Sequence, residues 1–320
     1  HLAFLLAHNA LVAKGASFDA ARKSLRWLYQ WVVWNDYVQR ITAADVFAKA
    51  LRFEPNDDGR KIWKAGFDDV FNWRNQPFMP VEFSVAAYRY GHTLVRDRYR
   101  TNIIKGPADA DAIRVFSADG VNLRGFRRLE LERVVEWDWF LPMTSSQGPF
   151  PQHARKFDTH LSDALRHMPE EKGHEGDDSF IANVLAARNL LRGIHLKLPS
   201  GVDVAKALNI APIPLADDDP GSLWFYILKE AELGASSNEP ETDAGNRLGK
   251  VGSIIVAATF AGLLLGDKLS YFNIEPGWTP DDDPLLGALN AEAALTKDSG
   301  EWTLASVIRL SGLPVSAAEF

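Results

Sequence analysis

The stretch from Val251 to Leu265 is the long apolar run of the chain, closed by Lys250 on one side and Asp267 on the other. It is shorter than the ~20 residues a helix needs to span a bilayer, and Gly252, Ser253, Thr259 and Gly262 interrupt it. A helix that is apolar on every side without crossing a membrane has one stable place, the middle of a large core. The remaining residues must therefore wrap it. No membrane span is expected.

The chain has 320 residues, 46% hydrophobic and 24% charged, enough to bury a core without covalent staples. That length admits two domains or one large helical domain. There is no cysteine, which excludes disulfides, thiolate nucleophiles, cysteine-bound zinc and iron–sulfur clusters. It leaves the compartment open between cytoplasmic and secreted. A net charge of -7 argues against a nucleic-acid partner, because phosphate binding needs clustered Lys and Arg. Arg124, Arg127, Arg128 and Arg133 do cluster, but Glu130, Glu132 and Glu136 interleave with them, the pattern of a solvated helix face. The opening residues His1 to His8 resemble the inside of a helix rather than a signal peptide. The sequence is therefore expected to start within a longer protein.

Periodicity predicts a helix over 1–14 and a second one capped by Ser17, with Leu25, Leu28, Tyr29, Val32, Val33 and Tyr37 on its apolar stripe. A short helix is expected over 43–51. Residues 54–80, with Pro55, Gly59, Gly66, Pro77 and Pro80, read as irregular connection. A helix is predicted over 81–99. A hairpin is expected where Ile113 to Phe116 and Val121 to Leu123 flank Asp119-Gly120. Helical patterns return at 129–140, 153–167, 179–196, 202–208, 222–233 and 246–266. The reading is mainly α, in one domain or part of one.

Most motif searches end in bland readings. His-Glu-x-x-His spacing, the Gly-x-Ser-x-Gly elbow, the P-loop and the dinucleotide fingerprint are all absent. His153, His160 and His167 recur every seven residues beside Lys156, Asp163 and Arg166, which reads as a solvated helix face. The acidic triplets 217–219 and 281–283 lack the spacing of a calcium-binding EF-hand and read as turns. The glycine-rich stretch 245–252 suggests a helix start with close packing and little else.

His92 is the exception. It sits on a predicted buried helix beside Arg89, Tyr90 and Gly91. A lone histidine there is more often a satisfied core residue than a ligand. Gly91 shifts that balance, because glycine within a helix costs ~1 kcal/mol relative to alanine and marks close approach of something flat or large.

Tyr88-Arg89-Tyr90-Gly91-His92-Thr93, within residues 80–99, closely resembles the proximal helix of the animal-type haem peroxidases, the myeloperoxidase and lactoperoxidase family. Three further segments agree in order: residues 1–12 with His8-Asn9, residues 20–41, and residues 184–201 with Ala187-Arg188-Asn189-Leu190-Leu191-Arg192-Gly193. The likeness covers most of 1–272, is nearest the cysteine-free bacterial branch, and leaves 273–320 as a C-terminal extension. It implies that residues 1–320 form the proximal, C-terminal portion of a large single-domain helical haem peroxidase fold with at most a short β-hairpin.

The resemblance also implies roles. His92 would ligate the iron of haem b, and Asn189 would accept a hydrogen bond from its other ring nitrogen. Arg89 would meet a haem propionate, with Arg192 a weaker candidate for the same task. The family's distal histidine, catalytic arginine, calcium loop and haem-esterifying carboxylates all lie upstream of the position of His1. No catalytic residue is thus assigned within the chain, and calcium belongs to the intact protein only. The implied activity is reduction of hydrogen peroxide with oxidation of small organic donors or halides. One alternative is a fatty-acid oxygenase of the same superfamily, but its radical-forming tyrosine would fall at Arg89. Another is a haem-free helical interaction domain.

Overall fold

The apolar run forms α-helix Lys250–Gly266, and twelve of its residues are buried, on every side of the helix. The computed structural model describes residues 1–71, 76–103, 112–116, 122–143, 151–166, 168, 181–234, 244–293, 295–296 and 300–315. The fold is mainly α, with two short two-stranded sheets among the described residues. None of the described helices is long and apolar enough to cross a membrane. The chain divides into two compact units, one of residues 38–97 and 154–268, the other of residues 1–37, 98–153 and 269–320.

The first unit is built on the buried helix. We number the longer helices of the chain α1 Leu2–Ala13, α2 Phe18–Val32, α3 Ala44–Ala50, α4 Leu185–His195, α5 Gly201–Ala207, α6 Leu223–Glu232, α7 Lys250–Gly266, α8 Pro284–Ala293 and α9 Leu304–Ser311. The polar residues of α7 find partners inside the core. Ser253 donates to the Leu248 carbonyl and accepts the Ala43 amide, and Thr259 donates to the Ile255 carbonyl. As the glycine-rich stretch suggested, a Cβ at Gly252 would lie 2.7 Å from Ile227 of α6. Ser200 and Ser222 cap α5 and α6 through their side chains.

The N-terminus of α7 is capped by Glu230, which is 2% exposed and accepts the Val251 amide at 3.0 Å. Burial pushes this carboxyl up to about 7, against the pull of three backbone amides and Lys250. A group that holds its proton more tightly folded than unfolded contributes most at low pH. That contribution is full below about 4.5 and is lost as pH rises through about 7. At about 1.4 kcal/mol per pH unit, the difference is roughly 3 kcal/mol. Glu230→Gln is expected to flatten this part of the slope in urea midpoints measured between pH 5 and 8. An unchanged slope would assign it to another group.

Residues 51–65 form an antiparallel hairpin, β1 Leu51–Pro55 with β2 Lys61–Ala65, which corrects the reading of 54–80 as irregular. Its turn is set by Asn56, whose side chain accepts the Asp58 and Arg60 amides, and by Gly59 at φ +76. The helix predicted over 81–99 also changes. It is π-helical over Glu82–Ala86, tightens to 3₁₀ over Ala87–His92, and ends there.

In the second unit α1 packs on α9 and α2, burying Ala3, Ala7 and Leu11. Ser17 caps α2 as expected. Trp27 donates to the Leu269 carbonyl, and Trp27, Trp31, Tyr271 and Trp278 make a cluster of ring contacts. Ser24 donates to both oxygens of buried Asp283, which in turn caps α8 through the Leu285 and Leu286 amides. The second triplet is thus a set of turn caps, with Asp281 accepting from Trp302 and Asp282 from Thr279.

Three further expectations are corrected here. Ile113–Arg114 pairs antiparallel with Arg98–Tyr99, while Asn122 makes one parallel bridge to Arg114, so the described residues do not pair as the arms of the expected hairpin. Asp119-Gly120 lies outside the described residues. Over 129–140 only two 3₁₀ turns form, Leu131–Arg133 and Trp137–Trp139. The Glu136 and Trp137 amides donate to Thr101 and Pro314 instead of to a helix. The arginine cluster is therefore not one helix face: Arg133 pairs with Glu130, and Arg127 donates to Asn122.

Candidate functional site

Within the unit of residues 38–97 and 154–268, the 3₁₀ segment and α4 bring together residues about a hundred positions apart. A 3₁₀ helix has three residues per turn, so Arg89 and His92 lie on one face and both reach Asn189. Changes of helical winding of this kind recur at functional positions. Tyr90 is buried against Phe157 at 5.0 Å between ring centroids, and Thr93 is fully buried and donates to the Tyr90 carbonyl. Tyr88 is exposed and stacks on Phe83.

Asn189, at 1% exposure, is the hub. Its side-chain oxygen accepts from Arg89 Nη1 at 2.8 Å, and its nitrogen lies 2.9 Å from His92 Nδ1. A guanidinium only donates, so the amide must turn its oxygen to Arg89 and its NH₂ to His92. The bond between Asn189 and His92 therefore runs opposite to the sense the family resemblance implies. Arg89 also donates through Nε to the Ser84 carbonyl, and Trp224 donates to its main-chain oxygen at 3.4 Å.

The electrostatics favour a neutral ring. Burial lowers the His92 pKa, and the Arg89 charge lowers it further. Burial also lowers that of Arg89, with the Arg192 charge adding to the effect. Arg192 itself is exposed. A Cβ at Gly91 would meet nothing within 4 Å. No described part of the protein presses on this glycine, contrary to what its place in the sequence suggested, and open space adjoins His92 in the chain.

On α4, Asn189 also borders a cavity of about 390 Å³ lined by Val85, Leu190, Leu198, Leu223 and Trp224 among others. His92 does not line it. Neither this cavity nor Trp224 was visible in the sequence, since both depend on tertiary approach of α4, α5 and α6. The other histidine pattern dissolves. His153 and His160 are not helical, because Arg155 and Phe157 donate their amides to Leu94 and Gly245 and Asp158 accepts the His160 amide. His167 lies outside the described residues. Asp219 of the first triplet accepts the Ala216 amide in a turn.

No family model matches this chain, and no curated protein matches it either.

Proposed function

We propose that the chain carries the proximal, haem-holding side of a haem-dependent peroxidase that reduces hydrogen peroxide and oxidises small organic donors or halides. The observation that supports this best is the Arg89–Asn189–His92 hydrogen-bond chain, which joins residues from both segments named by the family resemblance. The residues suit haem b in three respects. His92 is held neutral, as a metal ligand must be. Two guanidiniums, Arg89 and the nearby Arg192, match the two carboxylates of haem b. Gly91 leaves space for at least a methyl group beside the histidine, on the side a macrocycle would approach.

When bound, haem supplies the redox-active iron at which peroxide is reduced. The work of this chain is to hold and tune that group. His92 would ligate through Nε2, Asn189 would orient the ring through Nδ1, and Arg89 would pair with a carboxylate. Peroxide cleavage also needs a base and a cation near the outer oxygen, and this reading assigns those tasks to no residue of the chain.

The test is a spectral titration with ferric haem, in which a histidine-ligated Soret band is expected. Absence of any such band would favour the haem-free interaction domain. Gly91→Ala sharpens the test. Without haem the variant should be as stable as the wild type or more stable by up to about 1 kcal/mol in thermal melts. Its haem affinity should nevertheless fall, because the new methyl occupies the space offered to the macrocycle. A variant that binds haem as tightly as the wild type would remove Gly91 from the haem face.

A further inference from the structure

We infer that Arg89 acts through Asn189 as a positioning residue that sets which ring nitrogen of His92 carries the proton, and that His92 becomes an iron ligand only when Arg89 leaves Asn189 for an anion. The first half stands on hydrogen bonding alone. The second rests on the proposed haem reading.

The Arg89 to Asn189 bond is 2.8 Å and the Asn189 to His92 contact 2.9 Å. Turning the amide over would set its NH₂ against a guanidinium, donor against donor, so the chain of bonds has one sense, from Arg89 through Asn189 to His92. A neutral histidine that accepts at Nδ1 carries its proton on Nε2. Neither ring nitrogen then offers a lone pair to a metal, since one is used by Asn189 and the other is protonated. The ligating form is the opposite one, in which Nδ1–H donates to the Asn189 oxygen and Nε2 is bare.

Reaching that form requires the amide to turn over, which takes away the acceptor of Arg89. Water can replace that acceptor only in part, since the guanidinium is half-buried. A carboxylate does better, because its charge-assisted bond to a guanidinium is about twice as strong as a neutral one. Besides Asn189, the Arg89 side chain donates to Ser84 at 3.3 Å, and Trp224 binds its main-chain oxygen. The side chain can therefore swing while the backbone stays. On this account the haem carboxylates do more than anchor the group. They release the histidine that binds its iron.

Two measurements test this. Nitrogen-15 NMR of the ligand-free protein reports the tautomer directly. Wild type should show His92 protonated at Nε2, and Arg89→Met, which frees the amide to turn, should shift the population toward Nδ1–H. A wild-type ring protonated at Nδ1, or the same tautomer in both proteins, overturns the inference. The second measurement compares haem with its dimethyl ester, which has no charge to draw Arg89 away. His92 ligation of the ester should be at least about tenfold weaker in wild type, the scale of losing a ligand's hydrogen-bond partner. In Asn189→Leu, where Arg89 remains but the amide is gone, that penalty should shrink. An undiminished penalty would mean that the carboxylates act by pairing alone, and overturns the lock. If neither porphyrin binds wild type, the haem reading and the release step fall together, while the NMR result still decides whether Arg89 sets the tautomer.

Discussion

Replacing His92 with Ala is expected to abolish histidine-type ligation of ferric haem, with a loss of affinity beyond the roughly 10–100-fold that removing a ligand's hydrogen-bond partner costs. His92 is only half-buried, and Asn189 keeps its bond to Arg89 without it, so the variant should fold. Circular dichroism and the melting temperature should change little. Exogenous imidazole should restore part of the low-energy spectrum by occupying the vacated site, which a purely structural role would not allow. Retention of the wild-type ligand-field spectrum by His92→Ala would place the axial ligand elsewhere and dissolve the reading of this site.

A large loss of stability from a single methyl is expected at Gly201. A Cβ there would lie 2.1 Å from both Cβ and Cγ of Tyr226. Tyr226 cannot yield, since it is fully buried and its hydroxyl accepts the Ile213 amide. Gly201→Ala should therefore cost about 3 kcal/mol, the upper end of the usual range for overpacking. Chemical denaturation measures the cost, and Tyr226→Gly supplies the control. With both Cβ and Cγ of that side chain gone the methyl has space, so the cost of Gly201→Ala should shrink. Equal costs in the two backgrounds would show that the backbone at Gly201, and not its contact with α6, sets the requirement.

Much of the fold could be read from local pattern. The burial of α7 followed from its length and uniform apolarity, and the start of α2 from Ser17, which caps it. Two of the expected helices gave way to competition for backbone donors. The 129–140 and 153–167 stretches have helical periodicity, yet several of their amides bond to distant carbonyls, and of the second stretch only Asp163–Arg166 is helical. Asp158 adds the local side-chain alternative that such residues offer to a helix. The hairpin at 51–65 was legible, since apolar and charged residues alternate around Asn56-Asp57-Asp58-Gly59, but Pro55 and the later prolines masked it. Within the site, His92, Arg89 and Asn189 were each named from sequence. That Arg89 would bond to Asn189 itself was not visible, because it depends on the 3₁₀ winding and on the approach of α4.

The packing of α1 on α9 also bears on synthesis. Both stretches of the unit with residues 38–97 and 154–268 emerge from the ribosome before residue 269, so this unit can close while the chain is still growing. The other unit cannot, since three separated stretches compose it and its first helix rests on residues 304–311. Non-local pairing of this kind is slow, and surface that waits for its partner is prone to aggregate. The face of Leu2 to Ala13 that meets residues 304–311 waits until almost three hundred further residues have been made, while α2 can cover part of the helix early.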